Sequence, residues 1–197
     1  MARTFPGDVE TGSSSGNATG HRLGAGLVVA ALLIAASSAI AADATAPVDE
    51  VMEVTKVNWS EDGGEFQELF SEDRLTRLYS RDFVALFRAA SDSEFAREAG
   101  TPFDYDVVVN AQDGCPLQDV SVVEGPSEGA VSVVLARYRF MACMGDTPDF
   151  QALSETRFDV VEEDGRAVID DIRNQDGTGG TTSLKDEMKA IAAENAN

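Results

Sequence analysis

The feature that most constrains this chain is a change of period. Apolar residues recur at helical spacing as far as Ala99 and at strand spacing from Val107 onward. The changeover falls in 102–115, Pro-Phe-Asp-Tyr-Asp-Val-Val-Val-Asn-Ala-Gln-Asp-Gly-Cys. Val107, Val108 and Val109 form a β-branched run suited to a half-buried strand. Polar clusters bracket it, with Asp104, Tyr105 and Asp106 before and Asn110, Gln112 and Asp113 after. Such ends either cap backbone groups where a strand leaves a sheet or line a pocket. Helices followed by a block of strands select an α+β domain.

The helical half begins at Pro47, a residue suited to a first turn, with Val48, Val51, Met52 and Thr55 on one face. After a break at 60–64, Phe66, Leu69 and Phe70 predict one more apolar turn. Ser71 is placed to cap a helix carrying Leu75, Leu78, Tyr79, Phe83, Leu86, Phe87 and Ala90 in one stripe, with Glu72 and Asp73 suiting its positive end. Arg74, Arg77, Arg81 and Arg88 fall outside that stripe and read as a solvated face. Ser91 and Glu94 have the spacing of a capping box for a short helix with Phe95 and Ala99, ended by Gly100 and Pro102.

The strand half contains Val120–Val123, a long run over 130–143, a run around Thr156, Phe158 and Val160, and a last strand over 166–172 reached through an Asp164-Gly165 turn. In the long run Val134, Ala136, Tyr138 and Phe140 share a face. Residues 174–182 read as a polar connector, and Leu184, Met188 and Ile191 predict a terminal helix.

Ahead of this body, residues 23–42 hold no charge, follow Arg22, and close on Ala39, Ile40, Ala41, a small-x-small pattern. That predicts a signal peptide over 1–41, with an inner-membrane anchor as the alternative. The remainder divides into a linker over 42–46, one domain over 47–192 and a disordered tail over 193–197. Export to the periplasm or beyond makes Cys115 and Cys143 expected disulfide partners. His21 is the sole histidine and belongs to the leader, so no metal site is expected. With 35 acidic and 15 basic residues and a net charge of −20, the chain lacks the basic clusters that nucleic-acid binding requires.

These pieces together resemble a secreted bacterial family, domain-of-unknown-function family 3828, of the nuclear-transport-factor-2-like α+β cone folds. The similarity is carried by the Pro47 helix, the Phe70–Leu78 helix start, and the Asp104–Asp113 stretch with Asn110, Ala111, Gln112 and Asp113. It continues in the glycine turn before Arg166, the Ile169-Asp170-Asp171-Ile172 strand and the Leu184 helix. The chain has Ala167 where the family usually has a bulky aromatic, and no lipid-accepting cysteine. The resemblance implies N-terminal helices on a curved, mainly antiparallel sheet of four to five strands with a short C-terminal helix. It brings no catalytic residues.

Without a histidine in the body, Ser-His-Asp and Cys-His chemistry is excluded, and no cofactor-binding motif is present. Residues 174–177 resemble part of a calcium loop, but Ile172 stands where its first carboxylate belongs. The expected function is a non-catalytic binding or protein-interaction module for an unknown small ligand or protein. Its candidate residues are Asp104, Tyr105, Asp106, Asn110, Gln112, Asp113 and Tyr138. The alternative is a small acid-base enzyme using Asp104 or Asp106, although strand-end acids are more often simply solvated.

Overall fold

The structure, a computed structural model, describes residues 42–62 and 64–195. The expected signal segment therefore lies outside the described residues. Helix α1 (Ala46–Asn58) opens with Pro47 in its first turn, as its fixed φ and missing N–H allow. Three short helices follow: α2 (Glu72–Leu78), α3 (Arg81–Ser91) and α4 (Glu94–Ala99). The sheet is built from β1 (Gln118–Glu124), β2 (Ser132–Arg139), β3 (Ser154–Glu163), β4 (Arg166–Gln175) and β5 (Thr181–Ser183), and α5 (Leu184–Glu194) ends the order. The α+β class holds: the five strands form an open antiparallel meander in chain order.

One face of the sheet is apolar, with Val134, Ala136, Phe158, Val160, Ile169 and Ile172 buried. Helices α1, α2, α3 and α5 all pack on β4, so Val51, Met52, Leu75, Phe83 and Met188 share that core. Burying a side chain of this size is worth about 1.5–3 kcal/mol. On the other face Asp159 is also buried, at 7 %, which simple alternation does not anticipate. Arg157 and Arg173 close over it at 2.7 Å each, and this pairing offsets its desolvation.

The expected single helix from Ser71 to Ala90 is broken. Tyr79 and Ser80 are both extended, Tyr79 forms a parallel bridge to Ile169, and the Ser80 N–H donates to the Ile169 carbonyl at 2.8 Å. The Ser80 hydroxyl then accepts from the Phe83 N–H and donates to Asp170, starting α3 against the bulge of β4. The stripe continues through the break because both halves face the same sheet. Similarly, Ser93 rather than Ser91 caps α4, and Ser91 instead donates back to Phe87 inside α3. Residues 64–70 form a loop instead of a helical turn. Two side-chain bonds from Asn58 to the Gln67 backbone hold that loop in place.

The changeover stretch is not a strand. Val107–Val109 are buried in a turn closed by an Asp106–Ala111 bridge, with the Asn110 N–H donating to the Asp106 carbonyl and Asn110 at φ 59°. Side chains replace the ladder that a strand would need. Asp106 Oδ1 accepts from the N–H groups of Val108 and Val109. The Val107 carbonyl accepts from Asn174 and the Val108 carbonyl from Tyr138 and Thr156. Further on, β4 reaches Gln175 and β5 occupies part of the expected connector, leaving a loop in which Asp176 accepts from Thr178 and Gly180. Helix α5 runs through Glu194, into the expected tail. Cys115 and Cys143 are disulfide-bonded. Among the described residues no helix is long and apolar enough to cross a membrane, and no group of acids, cysteines or histidines is placed to hold a metal.

Candidate functional site

The end of α1, residues 60–61 and 66–70, the α3–α4 corner and the 100–116 stretch enclose a half-open cleft of about 1070 Å³. Its aromatic wall comes from four separate segments: Trp59, Phe66 with Phe70, Phe87 with Phe95, and Phe103 with Tyr105. Phe70 lies 4.7 Å from Phe87 and 6.0 Å from Phe103 between ring centroids, within the range of favourable ring packing. Phe66 and Phe95 are left 73 % and 49 % exposed at the mouth.

Gly114 and the disulfide shape the cleft beside Trp59. A Cβ on Gly114 would stand 2.8 Å from both the Phe140 carbonyl and the Trp59 ring, so only glycine lets that backbone pass. Cys115 donates its N–H to the same carbonyl, and the disulfide to Cys143 fixes the chain between Gly114 and Pro116, which both line the cleft. Trp59 donates its indole N–H to Asp106 Oδ2 at 2.9 Å, tying α1 to the changeover turn.

Of the residues singled out in the sequence, Asp104, Tyr105, Asp106, Gln112 and Asp113 line the cleft. Asp104 and Gln112 are exposed and share a hydrogen bond of 3.2 Å. Tyr105 donates to Glu187 of α5 at 2.5 Å, and burial together with that acceptor pushes its hydroxyl pKa up. Asn110 is exposed outside the cleft and serves the turn through its positive φ. Tyr138 lies beneath the turn, buried, its hydroxyl bonded to Val108 and Thr156 and pushed up to about 12 by desolvation. Neither Asn110 nor Tyr138 is among the cleft's lining residues.

Sequence reasoning missed Trp59, Phe66, Phe70, Phe87, Phe95 and Phe103 as a set because Phe66, Phe70, Phe87 and Phe95 read as apolar positions of separate helical turns, while Trp59 and Phe103 fall outside the stripes. Phe66 carried a signal of its own, since it follows Gly64 and Glu65 in a segment with weak helical spacing. No family model, curated protein or solved structure matches the chain. The reading of function starts from the cleft itself.

Proposed function

We propose that the domain is an extracytoplasmic, non-catalytic binding module of the nuclear-transport-factor-2-like kind, and that a small, largely apolar ligand occupies the cleft. The observation that carries the reading is the aromatic wall left open to solvent at Phe66 and Phe95. Contiguous exposed apolar surface beside a concavity is the usual setting of ligand recognition, and the volume suits a drug-sized molecule. The disulfide and the apolar leader run support the extracytoplasmic part.

The acid-base alternative needs a carboxylate inside an apolar pocket with an oxygen free to take a proton. Asp106 spends both oxygens on Val108, Val109 and Trp59, and Asp104 stands exposed. These placements favour binding over proton transfer.

The test is titration with Nile red, an uncharged dye that brightens in apolar surroundings. The protein is expected to bind it saturably, and Phe66→Ser with Phe95→Ser is expected to weaken binding about tenfold or more without changing the melting temperature. Both positions are solvent-exposed, so folding should tolerate the exchange. Unsaturable binding, or equal binding by the double variant, refutes the reading.

A further inference from the structure

The cleft gathers acids without gathering bases. Glu61, Glu68, Asp104, Asp106 and Asp113 line it, and no Lys or Arg does. None of these five forms an ion pair among the described residues. Elsewhere most of the cations are matched to acids, among them Arg77 to Glu50 and Asp73, Arg81 to Glu163 and Asp164, Arg157 to Glu128 and Asp159, and Lys185 to Asp82 and Asp170. The cleft thus holds carboxylates outside any ion pair together with two exposed rings, Phe66 and Phe95, and the nearest cation to them in the hydrogen-bond network is Arg74, which donates to the Glu68 carbonyl at 2.7 Å.

Aromatic faces carry the negative end of a quadrupole and attract cations, most strongly when water is excluded. Unpaired carboxylates at the mouth of a low-dielectric cleft add to that field and focus it inward. Glu61, Glu68, Asp104 and Asp113 are exposed, and Asp106 is committed to Trp59 and the turn. The four exposed carboxylates and the exposed rings of Phe66 and Phe95 line the same cleft, and the rings of Phe70, Phe87 and Phe103 continue its apolar wall inward, where water is excluded.

We propose that the cleft selects cationic amphiphiles, molecules with an ammonium head and an apolar body, over neutral or anionic ones of the same shape. The head would sit among Glu68, Asp104 and Asp113 and the body against the aromatic wall. This rests on the binding reading above and adds the charge of the ligand to it.

Matched tails with different heads test the charge alone. Dodecyltrimethylammonium, dodecyl maltoside and dodecyl sulfate are titrated below their micellar concentrations at fixed salt, with circular dichroism to show that the fold persists. The ammonium compound is expected to bind about tenfold more tightly than the maltoside, and the sulfate more weakly than either. Glu68→Gln with Asp113→Asn should bring the first two to parity. Asp146→Asn with Asp149→Asn, which removes equal charge from residues outside the cleft, should leave the preference intact. Equal affinity for the ammonium and maltoside heads in the unaltered protein overturns the proposal, and saturable Nile red binding would then leave the cleft reading standing. A preference lost equally in both double variants also overturns it, because bulk negative charge would explain the effect. Failure of Nile red and all three amphiphiles to bind removes both readings.

Discussion

Asp106 holds the cleft together by acceptance alone. Its carboxylate takes two N–H groups from its own turn on Oδ1 and the Trp59 indole on Oδ2, so it joins residues that are 47 positions apart. An asparagine keeps one carbonyl oxygen but turns an amide donor toward one of these donors. Asp106→Asn is therefore expected to cost about 1–3 kcal/mol, read by urea denaturation, with Trp59 fluorescence reporting the loosened wall. Asn110 contributes differently, through a backbone at φ 59° that glycine adopts more readily than alanine. Asn110→Gly should hold stability within about 0.5 kcal/mol while Asn110→Ala loses about 1 kcal/mol. Equal losses in both would assign the role to the Asn110 side chain instead. The polar residues of this turn are visible in the sequence, but their geometry is not. Three successive valines carry strand propensity, and the groups that satisfy the Val107 and Val108 carbonyls come from Tyr138, Thr156 and Asn174, far along the chain.

At the scale of elements, Ser80 decides where one helix becomes two. It is completely buried, caps Phe83 with its hydroxyl, donates to Asp170 and pairs its backbone with Ile169. Ser80→Ala removes the cap and leaves Asp170 without one donor, for an expected loss of about 1–2 kcal/mol by denaturant titration. Ser80→Thr keeps the hydroxyl and should recover part of that loss; a threonine no better than alanine would show that packing, not capping, sets the cost. The break illustrates what a sequence reveals about elements. Apolar periodicity located the helices and the strands of this fold because each element presents one face to a common core. It passed over the Tyr79–Ser80 break because a two-residue extended link keeps both helices on the same side. The hairpin at Asp164-Gly165 was readable because both residues take positive φ, 52° and 74°, the conformation that Asp-Gly favours. The cleft was not readable as a whole, since its aromatic residues come from four segments and only the folded chain assembles them.

For the whole molecule, charge sets the response to salt. Arg3 and Arg22 balance Asp8 and Glu10, so the net charge of −20 belongs to the body of the chain. Two opposed effects follow. Salt weakens ion pairs, and it weakens the mutual repulsion of the excess carboxylates. The pairs are short, such as Arg157–Asp159 at 2.7 Å and Arg88–Glu72 at 3.0 Å, well inside the screening length of about 10 Å at 0.1 M. Most are partly exposed and worth about 1 kcal/mol or less each. Repulsion acts between acids spread over the whole surface, at separations that salt screens efficiently, and it is strongest in the compact state. Repulsion should therefore be lost first, and stability should rise with salt. The melting temperature is expected to climb by a few degrees between about 0.01 M and about 0.5 M sodium chloride, and the climb should be smaller for Asp146→Asn with Asp149→Asn, which begins with less repulsion to relieve. A melting temperature that falls over this range would mean that the ion pairs outweigh the repulsion. The arginine network around Asp159 would then be a principal support of the sheet.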